Sequence, residues 1–282
     1  THKARKTLLD AGRRQLANAA VYFIAIPFRH ASVAPYLTGR RLFQHMINGA
    51  WADFYCIGPL DRQEDRRGLD IVRDIFRFHA GNEKFLIDTE PAAKVALAAG
   101  EDAEYMGMFQ ILSENQVPFE LTALDPSGLK KYELVIVPGA DRLKGPQVSA
   151  LDEYIKGGGK ALITGRLPDN LECFSSLKFQ KTRATEKGSY IRIRPEDRQR
   201  LDREILDKLD LVFLQGAFHV YESDANAEGL LRLIPADMFG PPEKCYYRNV
   251  SDVPALFHKS FGRGSAAYFP WEIGSHYQKQ CH

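Results

Sequence analysis

The feature that most limits what this chain can fold into lies between Lys94 and Thr164, where short apolar runs alternate with helical segments. Lys94 to Ala99, Phe119 to Leu124, Glu133 to Val137 and Lys160 to Thr164 read as strands. Ala103 to Asn115 and Pro146 to Ile155 read as helices, the second closed by Gly157-Gly158-Gly159. Runs that are apolar throughout, rather than at every second residue, mark strands buried on both faces. Strands joined by single helices demand right-handed crossovers and a parallel sheet covered on both sides. The expected class is α/β, with a doubly wound parallel sheet.

Before this series, residues 3 to 18 favour helix, and Val21 to Phe28 forms a branched and aromatic run that reads as a first buried strand. Pro35 opens a helix to about Asn48, Gly49 stops it, and Asp53 to Ile57 reads as a second strand. Leu69, Ile71, Val72, Ile75, Phe76 and His79 then keep a helical period, with Gly81-Asn82 as the expected stop. His45 and His79 fall on the core-side stripes of their helices. After Arg166 the pattern weakens to a strand at Ser189 to Arg194, a polar helix at Pro195 to Lys208, and apolar pieces at Leu211 to Leu214 and Phe218 to Tyr221. Ala255 to Phe261 and Ser265 to Phe269, joined by Gly262-Arg-Gly264, read as a hairpin that closes the sheet with antiparallel strands.

Several function classes are excluded at this level. The longest apolar run, Ala19 to Phe28, is ten residues, whereas a membrane-spanning helix needs roughly 20. A formal charge of +2, with clusters such as Asp61-Arg-Gln-Glu-Asp-Arg-Arg67 mixing both signs, gives no basic field for nucleic acid. Cys56, Cys173, Cys245 and Cys281 lie far apart with no histidine at metal-ligand spacing, so the expectation is reduced thiols, a cytoplasmic setting and no metal. The chain opens on Thr1 without a signal-peptide stretch, and the expectation is a start in mid-protein.

In an open parallel sheet, ligands settle at the carboxyl ends of the strands. The loop Ala99-Gly100-Glu101-Asp102-Ala103 places two carboxylates where a phosphate would need hydroxyls and glycines, so no nucleotide or other cofactor is expected, and the two acids read as partners of the helix dipole. A cysteine nucleophile on a strand-to-helix elbow is missing from Thr164-Gly165-Arg166-Leu167-Pro168, the nearest thiol being Cys173. In residues 1 to 88 the candidates are Arg29-His30 beyond the first strand and Asp61-Arg62 with Glu64 and Asp65 beyond the second. Those are barrel active-site positions if the strands belong to a barrel, and surface ion pairs otherwise. Phe239-Gly-Pro-Pro-Glu-Lys-Cys-Tyr246 and Trp271 read as packing over sheet edges.

Val135-Ile-Val-Pro-Gly139, Leu151-Asp-Glu-Tyr-Ile-Lys-Gly-Gly-Gly159 and Ala161-Leu-Ile-Thr-Gly165 resemble the trimerisation domain of family 42 β-galactosidases, which is flavodoxin-like and similar to class I glutamine amidotransferases without their catalytic machinery. Residues 239 to 274 resemble the end of glycoside hydrolases that join a β/α barrel to this domain, and Asp65-Arg-Arg67 with Phe76-Arg-Phe-His79 are similar to the final barrel helix region of those proteins. The resemblance implies that residues 1–88 are the last two β/α units of a TIM-type barrel and that residues 89–282 are a flavodoxin-like trimerisation-type domain. It further implies a carbohydrate substrate for the complete protein, homo-oligomer assembly as a trimer, and Arg29, His30 and Asp61 lining a substrate cleft. Barrel hydrolases take two carboxylates from strand ends, and neither strand here ends in a glutamate. The catalytic pair is therefore expected outside this chain. The alternative is a non-catalytic binding or oligomerisation module.

Overall fold

The structure, a computed structural model, describes residues 2–12, 16–22, 31–86, 91–184, 188–201, 209–222, 226–236 and 240–280. It divides into two compact units, Thr1–Ala92 and Ala93–His282.

In the first unit, helix α1 (His2–Ala11) ends where Gly12 turns into the left-handed region (φ 61) and its N–H closes on Leu8 O at 2.9 Å. Strand β1 follows at once, Leu16–Ala20, and pairs in parallel with β2 (Trp51–Tyr55) from Leu16↔Trp51 to Ala20↔Tyr55. This corrects the expected helix over residues 3 to 18. Leu-Ala-Asn-Ala-Ala has helical propensity, but its hydrogen-bonded ladder with β2 overrides that preference. Of the strand expected at Val21 to Phe28, only Val21 and Tyr22 lie within the described residues, and Val21 N extends the ladder to Tyr55 O at 3.0 Å. The second strand lies two residues upstream of its expected position.

Helices α2 (Pro35–Ile47) and α3 (Arg67–Leu86) pack on the pair, with Ala19, Val21, Tyr22, Leu42 and Val72 at the core. Helix α3 runs through the expected stop at Gly81-Asn82. Gly81 is exposed and costs only about 1 kcal/mol in a helix interior, while the Asn82 amide donates back to Phe78 O at 2.8 Å. His79, with Met46, Trp51 and Phe76, lines a cavity of about 170 Å³.

The second unit holds strands β3 (Val95–Ala98), β4 (Phe119–Thr122), β5 (Leu134–Val137) and β6 (Lys160–Thr164) with helices α4 (Ala103–Glu114), α5 (Pro126–Leu129) and α6 (Gly145–Lys156). Beyond them come β7 (Lys178–Ala184), β8 (Ser189–Arg192), α7 (Pro195–Arg200), β9 (Leu211–Leu214), β10 (Ala217–Glu222), β11 (Glu228–Ile234), β12 (Pro254–Phe261), β13 (Gly264–Phe269) and α8 (Ile273–Gln280). A nine-stranded sheet runs β4-β3-β5-β6-β13-β12-β11-β8-β9. Its first five members are parallel and the rest antiparallel. Numbered along the chain, the parallel strands stand in the order 2-1-3-4-5, which is the flavodoxin arrangement.

The terminal hairpin differs from expectation in one respect: β13 runs parallel to β6, as the fifth parallel strand, and only β12 turns antiparallel. Strands β7 and β10 form a separate antiparallel ribbon, with a register shift between Val220 and Tyr221. The polar helix is described only as far as Arg200, and residues 202–208 lie outside the described residues. Trp271 is buried and its indole N–H donates to Ala255 O at 3.3 Å, sealing the sheet as its sequence context implies. Helices α4 and α8 cross in contact because Gly107 and Gly274 meet there; a Cβ on either would strike the other helix's backbone. Among the described residues, no helix is long and apolar enough to cross a membrane.

Candidate functional site

Two strand-end regions carry the chemistry that the fold makes available. In the first unit, the carboxyl ends of β1 and β2 lead to Tyr22 and Cys56. Arg29 and His30 lie outside the described residues. Asp61 sits solvent-exposed in the 3-10 turn Leu60–Arg62. That turn is braced by Arg66, whose guanidinium donates to Gln63 O at 3.2 Å and Leu60 O at 3.0 Å. Asp65 takes two hydrogen bonds at 2.9 Å from the Arg67 guanidinium, which hold its carboxyl well below the usual carboxylate range.

Beside these surface charges are two enclosed polar groups that sequence reasoning did not single out. Tyr22 is 1% exposed, and its hydroxyl has no partner among the described residues. Burial, reinforced by Cys56 and Asp65, pushes its pKa up, so it stays protonated. Gln63 is 4% exposed, donates to Ile57 O at 2.7 Å, and leaves Oε1 without a partner among the described residues. Tyr22 sat inside an apolar run, where only its burial was legible. Among the described residues, neither strand end presents a carboxylate pair, and Asp53 on β2 accepts from Asn18 at 2.8 Å.

In the second unit, strand order reverses between β3 and β5, and an α/β sheet of this kind opens a ligand crevice there. Here an arginine fills it. Arg142 donates to Asp102 Oδ2 at 2.8 Å and to Ala98 O at 3.3 Å, and a Cβ added at Gly100 would collide with its guanidinium. Asp102 meanwhile caps α4 by accepting from Tyr105 N at 2.7 Å, so it serves the helix terminus and the ion pair together.

The elbow after β6 is tight, with Gly165 at φ 82 and a Cβ built there only 3.1 Å from Gly139 Cα. It carries a hydrogen-bonded chain rather than a nucleophile: Gly139 N donates to Thr164 Oγ1 at 3.2 Å, and that hydroxyl donates to Glu104 Oε1 at 2.6 Å. Glu104 Oε2 accepts from Ser275 N at 2.7 Å. Burial raises the Glu104 pKa against these hydrogen bonds. Cys173 is fully buried, and burial with nearby Asp152 pushes its thiol up to about 12, far from a reactive thiolate. Among the described residues, no group of three or more potential metal ligands comes together. An open groove of about 800 Å³, lined by Tyr132, Glu153, Tyr154, Lys160 and Arg263, lies at the amino-terminal edge of β5 and β6, opposite the ligand edge.

No protein-family model matches this chain, and no curated protein matches it by sequence. Solved structures do match its fold. A β-galactosidase from Bacillus circulans sp. alkalophilus superposes with a TM-score of 0.71 at 15% identity, over 94% of this chain and 43% of that one. α-L-Fucosidase isoenzyme 2 from Paenibacillus thiaminolyticus gives 0.74 at 16% identity, over 99% and 44%. A GH42 β-galactosidase from G. stearothermophilus gives 0.68 at 12% identity, over 95% and 42%. The chain thus spans less than half the length of these structures, and what it shares with them is an α/β fold found within glycoside hydrolases.

Proposed function

We propose that this chain is the C-terminal portion of a glycoside hydrolase, in which the first unit supplies the last two β/α units of a barrel and the second a flavodoxin-like assembly domain. The observation that carries the reading is the β1–β2 pair. It is a parallel two-stranded sheet, whose only described partners are each other, with Leu16 63%, Trp51 52%, Phe54 40% and Tyr55 46% exposed. Helices α2 and α3 pack on the pair, but its strand edges are not covered by further strands among the described residues, and an uncovered apolar edge is an aggregation hazard. Further parallel strands on either side would cover both edges. The match of nearly the whole chain to less than half of each hydrolase supports the same reading.

On this reading the catalytic carboxylates lie outside the chain, Arg29, His30 and Asp61 line the substrate cleft, and the second unit serves homo-oligomer assembly. The filled crevice at Arg142 and the protonated, buried Cys173 favour a non-catalytic second unit. The test is the intact mass of the polypeptide in its source, followed by hydrolysis of nitrophenyl glycosides. The expected result is a mass well above 31.9 kDa, with hydrolysis by the long form and none by this chain alone. A mass equal to that of this chain, or an inactive long form, overturns the proposal.

A further inference from the structure

The outer flanks of α2 and α3 carry an apolar strip. Leu42 and Met46 of α2 and Val72 of α3 are buried, and Leu42 and Val72 pack with Ala19 and Val21. Phe43 and Ile47 come one residue later on α2, about 100° around the helix from that buried side, and Tyr36 lies two turns before Phe43 on the same flank. On α3, Phe78 and Phe85 stand six and thirteen residues beyond Val72, about 120–140° around from it. The two flanks meet: the rings of Phe43 and Phe78 lie 5.9 Å apart, and one turn away the helices touch at Gly39, where an added Cβ would stand 2.7 Å from Ile71 Cγ1.

The five side chains remain open, Tyr36 at 88%, Phe43 at 40%, Ile47 at 58%, Phe78 at 45% and Phe85 at 66%, the last with Lys84 Nζ over one face of its ring at 4.8 Å. This strip is distinct from the bare β1–β2 pair. Trp51 and Phe54 belong to the sheet, where further strands would cover them, whereas the strip is turned away from the sheet and stays open when strands are added.

We infer that this strip is an interface between two copies of the chain. Taking about 200 Å² for a whole side chain, the five expose roughly 600 Å², the upper limit of what a monomer commonly leaves bare in one patch. Pairing the strip with itself removes roughly 1,200 Å² before any polar rim is counted, which reaches the lower bound for a stable, specific interface. The charges beside it also suit a copy. Arg40, three residues before Phe43, and Lys84 are basic, while Asp74, four residues before Phe78, is acidic. A rim of one sign would select an oppositely charged partner and repel its own copy, and a rim of both signs does neither. The inference does not depend on the hydrolase reading.

The test is sedimentation velocity of the full chain from about 1 to 100 μM. The expected result is a concentration-dependent doubling of the sedimenting mass, with the dissociation constant raised at least about tenfold in Phe43→Ser and in Phe85→Ser. Whatever assembly the second unit adds is common to parent and variants, so the difference between them reads the strip. Trp51→Ser on β2 and Tyr246→Ser in the second unit, both exposed aromatics, are expected to associate as the parent does. Both strip positions are exposed, so an unchanged circular dichroism spectrum separates a lost interface from a lost fold. Equal masses for the parent and both strip variants at every concentration overturn the inference in favour of another occupant, such as a segment of the longer polypeptide. Association that falls with Trp51→Ser and survives both strip variants also overturns it and places the contact on the open sheet.

Discussion

Glu104 is the residue whose loss should cost the second unit most for its size. It is 3% exposed and its carboxylate joins three segments: α4, from which it projects; the end of β6 through Thr164; and the start of α8 through Ser275 N. Glu104→Ala would leave two buried donors, the Thr164 hydroxyl and Ser275 N, without an acceptor. At about 1–3 kcal/mol for each unsatisfied group, less whatever relaxation or entering water recovers, the loss should reach about 2 kcal/mol or more. Glu104→Gln keeps one acceptor oxygen for the Ser275 amide and turns its own amide toward Thr164, whose oxygen can accept it, so the cost should be about 1 kcal/mol.

The assay is urea unfolding, with amide hydrogen exchange of the 273–280 peptide to separate local release of α8 from global loss. The two variants also differ in their pH response. Burial raises the Glu104 pKa above its ordinary value near 4.5, so the folded chain holds this proton more tightly than the unfolded chain. The contribution is therefore fully present below pH 4.5 and is lost as pH rises through the folded pKa. Glutamine does not titrate, so the deficit of Glu104→Gln relative to the parent should be largest in acid and shrink toward neutrality. A deficit that grows with pH, or a Glu104→Ala variant within about 0.5 kcal/mol of the parent, refutes this account of the network.

Two further predictions rest on local geometry. Gly107→Ala should destabilise the second unit by at least about 2 kcal/mol, because its methyl would enter the Gly274 backbone and the α4–α8 crossing would have to open; urea titration reads it, and a neutral result would mean that the helices slide freely. Under native conditions, Cys56 and Cys245, both partly exposed, should react with a thiol reagent while Cys173 stays silent until denaturant is added; mass mapping of the labelled peptides checks this, and early labelling of Cys173 would contradict its enclosure.

The parallel half of the second unit was legible because strands such as Leu134–Val137 and Val95–Ala98 lie between two helix layers and are apolar at nearly every residue. Strand β7 escaped for the opposite reason. Lys-Phe-Gln-Lys-Thr-Arg-Ala is exposed along almost its whole length and carries no core pattern to read. In β11 the alternation is broken where Leu231 enters the left-handed region (φ 55). Strand β1 failed on propensity, since only its ladder to β2 distinguishes it from helix. At the site level, the absence of a thiol at the elbow was visible as a missing residue type. That Arg142 fills the crevice was not, because an arginine forty positions from Asp102 signals nothing until the β3 and β5 loops meet.

The closure of that crevice bears on how the second unit works. In a doubly wound sheet the reversal point is where backbone amides and a helix N-terminus are free to meet an anion. Here Asp102 already satisfies the first turn of α4 and Arg142 neutralises Asp102, so the site's own electrostatics are spent internally. An incoming phosphate would have to break a partly buried ion pair and displace a guanidinium also bonded to the Ala98 carbonyl, and it would meet the Asp102 carboxylate once Arg142 left. The same bonds that exclude a nucleotide tie the end of β3, the start of α4 and the loop after β5 into one piece, and Glu104 extends that piece to β6 and α8. A ligand edge cross-linked in this way is suited to a fixed surface rather than to a closing active site.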